Sequence, residues 1–385
     1  MIKKICLFLL LCVSTISAVE YQLADFMKED SNIDAGYVNI DSDSFFKVGL
    51  NPDFKWKMLE LGLNVNLYVP LGDYDVPDDL DWVALRHLGI NYKDIHGIKF
   101  GKLRNITLGQ GLLVDDFSTG TSTQFVQSET GVIGFTTILD TKITAMQTVE
   151  NVQAVRVERP VVAVANTPVI VGATFAQDTD GIDADDITRA EQSGYAADIS
   201  YPIGGEVFTL YAEYAELTDY GSGASAGARG SLFNLISYKA EYRTLGTSFA
   251  PGYFNSTYQE TSFDFSTDAL SEKVSGFLVN AGTSFMGDFA KAAVQYELYD
   301  EINVLSGALG WKQIGPVTGV VNVSKPFNAQ DNSAIVVADL YYRTGKFYDL
   351  IIRHKRVYET SDDYTQSTEV AFSFNTSKLL PGLPF

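Results

Sequence analysis

The chain reads as an all-β protein, a transmembrane antiparallel meander β-barrel of about 16 to 18 strands, preceded by a cleaved signal peptide. Three observations point there. Apolar side chains fall on alternate positions along most of the sequence. Many of the alternating runs reach about ten residues or more, whereas strands of soluble proteins average about 5 to 6. Short turns rich in Gly, Pro, Asn and Asp separate the runs, and sustained three-to-four periodicity is almost absent.

The first element is the leader. Lys3 and Lys4 precede the apolar run Ile5 to Val13, and the small polar stretch STISA follows. This is the layout of a secretory signal, with a cut expected after Ala18, and the run is far below the about 20 apolar residues of a spanning helix. Residues 1–18 are thus expected to be removed, 19–43 to form an N-terminal segment, 44–375 the barrel, and 376–385 a tail ending in Phe385.

Within the barrel, KMLELGLNVNLYV at 57–69 shows the pattern best: Leu59, Leu61, Leu63, Val65, Leu67 and Val69 share one face, with Glu60, Gly62, Asn64, Asn66 and Tyr68 between them. Strands are expected near 44–50, 54–69, 85–93, 97–108, 131–139, 142–149, 152–164 and 169–177. Further ones are expected near 194–202, 206–218, 230–245, 256–266, 272–285, 288–300, 303–313, 316–325, 333–343, 346–358 and 365–375, some of which should merge or vanish. Tight turns such as 51–53, 166–168 and 315–316 alternate with longer polar loops at 70–84, 109–130, 178–193 and 219–229.

Alternation alone fits a soluble sandwich as well. Length and number decide. A meander of so many long strands, without helices to cover it, leaves open edges and a large apolar face. Closure removes the edges, and turning the apolar side outward into about 25 Å of lipid disposes of the face. The polar side then lines the lumen. It carries Lys239, Glu241, Arg243, Lys291 and Glu297, and by the same alternation Asp349, Arg353 and Lys355, while Arg356 falls near headgroup level. The 21 Tyr and 24 Phe, against 3 Trp, often sit near strand ends, as interfacial girdles do.

Composition excludes several chemistries. Cys6 and Cys12, the only cysteines, lie in the leader, so the exported chain has no disulfide, thiolate nucleophile or cysteine metal site. Loss of Lys3 and Lys4 leaves 26 basic against 48 acidic side chains, a net of −22, which repels nucleic acid. A cation preference is expected where acids line the narrowest point of any passage.

Gly223–Gly227 spell GxSxG, but in the small-residue run YGSGASAGARG, read as a flexible loop rather than a strand-to-helix elbow. His87 falls inward, His96 in a tight turn and His354 near a strand end, with no Ser or Asp placed beside them, so no catalytic residue is assigned. The acidic loops 72–81 and 178–186 lack the EF-hand order and read as solvated surface, leaving no metal site and no cofactor. Asp115 and Asp116, in the long loop 109–130, are candidates for a constriction folded into the lumen.

These features together resemble Gram-negative outer-membrane barrels, specifically the porin-like ones of about 16 to 18 strands. The resemblance covers the whole chain through its pattern and through Phe385, which looks like the terminal aromatic read by the barrel-assembly machinery. Pro381 and Pro384 depart from it, since a paired terminal strand must donate hydrogen bonds there, so closure is expected near residue 375. KFGKLRNITLGQG at 99–111 and FAPGYFNSTYQE at 249–260 are also similar to uncharacterised members of this group. The resemblance implies a non-enzymatic channel for passive diffusion of small hydrophilic solutes or ions, set in outer-membrane lipid and lipopolysaccharide, with a homotrimer as the common assembly. A non-conducting structural or adhesive barrel, or a secreted soluble β-sheet binding protein, are the rival readings.

Overall fold

The computed structural model describes residues 32–375 except 41–42, 57, 73–82, 93–94, 120–129, 185–186, 205–206, 234, 259–262, 264–269, 286–288, 301, 326–333, 344–347 and 359–363. The leader, the tail with Phe385 and the acidic loop from residue 73 onward lie outside the described residues. The strands in chain order are β1 Asn32–Ile40, β2 Asp43–Asn51, β3 Asp53–Trp56, β4 Leu59–Pro70, β5 Val83–Tyr92, β6 His96–Gly101, β7 Ile106–Leu108, β8 Val114–Phe117, β9 Gly131–Ile138, β10 Thr141–Thr148, β11 Val152–Val164, β12 Thr167–Asp178 and β13 Ile182–Ala184. The second half holds β14 Ile187–Arg189, β15 Gln192–Ile203, β16 Phe208–Leu217, β17 Ser222–Leu232, β18 Ile236–Leu245, β19 Phe254–Asn255, β20 Val274–Phe285, β21 Ala290–Tyr299, β22 Ile302–Ile314, β23 Val317–Ser324, β24 Ala334–Arg343, β25 Tyr348–Tyr358 and β26 Tyr364–Asn375.

Twenty-one of these strands form one sheet in which sequence neighbours pair antiparallel, and β26 returns to pair with β1 from Asn32↔Asn375 to Ile40↔Ser367. The sheet is therefore a closed barrel with no free edge. β3 merely continues β2 beyond Pro52 along the same partner, β4, so the wall has twenty staves.

The stave count exceeds the expected 16 to 18 for identifiable reasons. β1 lies within the stretch expected to precede the barrel: Tyr37 packs outward and Val38 inward as a normal stave. Residues 219–229, expected as a loop because Gly, Ser and Ala dominate, form most of β17, and the expected single strand 230–245 is the end of β17, a turn and β18. Small residues lack β-propensity but tolerate it once both neighbours supply a ladder. In the opposite sense, the described part of 256–266 is not a stave; it is turn at 256–258 and a single bridge at Phe263.

The two mouths differ. At one, every connection is short: 139–140, 165–166, 204–207, 233–235, 315–316 and 344–347 among them, with both wall termini at that level. The other carries the long connections 71–82, 102–130, 179–191, 246–273 and 325–333. Outer-membrane barrels show this asymmetry, with short turns toward the periplasm and long loops outside.

Candidate functional site

The wall is inside out relative to a soluble protein. On β18, Glu241 and Arg243 are 3% and 2% exposed while Tyr242 between them is 47% exposed; on β25, Arg353 is 3% exposed and Ile352 is 37%. The same split runs round the ring, with Leu50, Leu67, Ile98, Val155, Phe175, Ile199, Leu210, Phe277, Leu305 and Phe372 exposed outside. Alternation on a pleated ribbon forces it: whichever face takes the apolar set, the other takes the charges.

Among the described residues, inward charges pair across staves in three places. In the first, Arg156 binds Asp198, with Nη1 donating to Oδ2 at 2.6 Å, and Glu158 at 3.0 Å, and Lys142 reaches Glu158 at 3.4 Å. In the second, Arg243 bridges Glu241 and Glu297 (3.2 Å to the latter), Lys239 lies 3.4 Å from Glu241, and the Tyr211 hydroxyl donates to Glu241 at 2.6 Å. In the third, Glu369 takes Arg353 at 3.1 Å and Lys47 at 3.5 Å, with Asp339 opposite Arg353 in register. Buried charge is tolerated only when so paired.

Two chain segments fold from the loop mouth into the barrel. Residues 102–119 close on themselves where Leu103 and Thr119 exchange backbone and hydroxyl hydrogen bonds, and they bury Leu103, Ile106, Leu108, Leu112, Leu113, Val114 and Phe117. Residues 246–258 bury Phe249, Ala250, Tyr253, Phe254 and Tyr258. The segments zip together: β8 runs parallel to β19, and the N–H groups of Gly252 and Phe254 donate to the carbonyls of Leu112 and Leu113. Against them the wall presents small or apolar inward residues, Ala154, Ala176, Ala196, Ala215, Leu217 and Leu245. Gly223 completes this socket, because a Cβ there would overlap the Phe249 ring.

Glu213 pins the first segment to β16. Its carboxylate accepts the N–H of Leu112 at 2.8 Å and of Gln110 at 3.2 Å, Gln110 Nε2 donates to Asp198 at 3.2 Å, and Lys239 Nζ donates to the Gln110 carbonyl at 2.7 Å. Gly109 enters this knot at φ +79°, where an L side chain would be strained and would meet Arg156 and Glu213.

At the mouth, Arg189 of the β13–β14 hairpin is buried among the rings of Tyr258, Tyr253 and Phe263, at 4.4, 5.5 and 5.7 Å. Tyr258 donates to Asp178 at 2.7 Å, and Asp178 also accepts the N–H of Asp180 and Gly181. Burial lowers the Arg189 pKa and raises those of Tyr253 and Tyr258, and the ring faces, a hydrogen bond with Tyr253 and the nearby Asp178 offset that cost for the cation.

Of the residues named from the sequence, Lys239, Glu241, Arg243, Glu297 and Arg353 sit in the clusters. Lys291, Asp349 and Lys355 also face inward by register, with Asp349 beside Arg343 at 3.7 Å. Asp115 accepts from the Thr107 hydroxyl at 3.2 Å, and Asp116, at φ +55°, donates its N–H to Thr107 Oγ1 at 2.9 Å. Sequence reading missed Arg156, Asp198, Glu213, Lys47 and Glu369. Each lies on the polar register of an alternating run, which was the available signal.

The GxSxG stretch is not a loop. It lies on β17, where Ser225 faces inward opposite Arg243, and the histidines lie on β5, β6 and β25, not on the flanking β16 or β18. His96 opens β6 and bonds Thr136 on the outer face, rather than sitting in a turn.

No family model and no curated relative matches the chain. Among solved structures it is similar to Pseudomonas aeruginosa OpdK, crystallised with vanillate (11% identity, 90% of this chain and 97% of that chain, TM-score 0.38). It is also similar to P. aeruginosa OccK11 (OpdR; 12%, 90% and 94%, 0.41) and to a BenF-like porin from P. fluorescens Pf-5 (10%, 91% and 99%, 0.37). Likenesses this distant assign neither a family nor a solute.

Proposed function

We propose that the protein is an outer-membrane, porin-like channel that passes small hydrophilic solutes or ions down their gradients, without turnover. One observation carries this reading: the closed wall has exposed apolar side chains outside and charged ones inside, an arrangement that only hydrocarbon outside and water inside make stable. The inward segment 102–119 is the constriction in this reading, with Asp115 and Asp116 on it and Lys239, Glu241, Arg243, Lys291, Glu297, Asp349, Arg353 and Lys355 lining the passage. Because the clustered charges are paired with one another, charge preference is set by the constriction rather than by the net −22, and a cation bias follows where the two aspartates face the passage. Lipopolysaccharide contact, assembly through the C-terminal region and a homotrimer belong to the same proposal.

A second reading has its own support. The apolar packing of 102–119 with 246–258 fills part of the lumen, as in a barrel that anchors or adheres rather than conducts. Planar-bilayer recording separates the two. Discrete steps, with a reversal potential in a salt gradient, support the channel and report its ion preference; a folded, inserted but silent barrel refutes it.

A further inference from the structure

Inward Arg156, Arg243, Arg343 and Arg353 each stand against a carboxylate. Arg356 does not. It faces outward on β25, in the set Ile352, His354, Arg356 and Tyr358, two residues from the loop mouth. Among the described residues its partners are neutral: Nη1 donates to Tyr358 Oη and Nη2 to Gln366 Oε1, both at 3.0 Å. The guanidinium lies 4.4 Å from the Tyr364 ring and 5.7 Å from that of Tyr358, and its Nε has no hydrogen-bond partner. Other outward charges are handled differently, for Glu216 accepts the Tyr214 hydroxyl at 2.7 Å and Arg159 lies toward the short-turn mouth.

A lipid-facing arginine costs little only near the headgroups, and there it needs an anion. The two ring stacks and the Gln366 amide fix the plane of the guanidinium and use two of its five donors. Nε is shielded from outside, and the second N–H of Nη1 and of Nη2 remain for a phosphate, whose oxygens accept charge-assisted hydrogen bonds from a guanidinium. We propose that Arg356, with Gln366, Tyr358 and Tyr364, binds a phosphate group of the outer-leaflet glycolipid, lipopolysaccharide. The site deepens the reading above, since it rests on the long-loop mouth lying in the outer leaflet.

The test uses the full mature barrel in detergent and native mass spectrometry with three probes: bisphosphorylated lipid A, the same lipid with its phosphates removed, and inorganic phosphate. Binding should fall about tenfold on removing the phosphates and in Arg356→Gln, stay unchanged in Arg159→Gln, and resist competition by inorganic phosphate. Equal binding of both lipids by the unmodified protein overturns the proposal without any variant having to fold. So does equal binding by Arg356→Gln, and full displacement by inorganic phosphate overturns the headgroup assignment. Conductance is read in parallel. A silent barrel that still discriminates the two lipids supports this site and refutes the channel, whereas a conducting barrel indifferent to the phosphates refutes the site alone.

Discussion

Replacing Glu213 by alanine removes the carboxylate that accepts the N–H groups of Gln110 and Leu112. Hydrogen bonds to a charged group contribute about 1.5–3 kcal/mol each, so the tether is worth about 3–6 kcal/mol. The segment it holds also buries seven apolar side chains between Leu103 and Phe117, each worth about 1.5–3 kcal/mol and together about 10–20 kcal/mol. Burial therefore outweighs the tether. Single-channel recording of Glu213→Ala should show the parental conductance level with added brief fluctuations, as the 109–112 turn loosens while the apolar side chains stay docked. Leu113 is fully buried against the socket by Gly194 and Leu217. Adding Leu113→Asp both removes its burial and forces a carboxylate into an apolar site, at a cost of several kcal/mol more. The double variant should release the segment and raise the conductance step. A large step from Glu213→Ala alone would show that the polar tether, not burial, holds the segment. A double variant with unchanged conductance would show that the segment does not obstruct the passage at all.

Ala226→Arg places a cation on the lipid face in the middle of β17 and should cost about 2–4 kcal/mol in urea unfolding from lipid vesicles; an unchanged midpoint would contradict the outward assignment of that face. Glu369→Gln leaves Lys47 and Arg353 without their shared buried carboxylate and should destabilise the wall by about 3–5 kcal/mol in the same assay, and parental stability would show that water already screens this cluster. Arg189→Ala removes a cation–ring contact worth about 0.5–2 kcal/mol, so limited proteolysis should cut near 182–191 and 246–258 faster while thermal unfolding of the wall stays put; a shift of the wall transition would tie this clasp to the barrel as a whole.

The barrel was legible in the sequence because a period of two is a local property. Alternation between Leu59 and Val69 assigns each side chain a face before any partner strand is known, and it places Lys239, Glu241, Arg243 and Arg353 on the polar side. Which polar residues meet was not legible. Arg156 and Asp198 are 42 residues apart, and Glu213 lies 101 residues from Leu112; their pairing depends on strand register and on where a loop lands, both products of closure. β17 was missed because its Gly, Ser and Ala residues state no preference of their own and acquire strand geometry from β16 and β18. An inward constriction was a candidate reading for 109–130, whereas only tertiary structure packed 102–119 against 246–258 inside the barrel. Their leucines and aromatics find an apolar socket there, whereas outside the barrel they would face water.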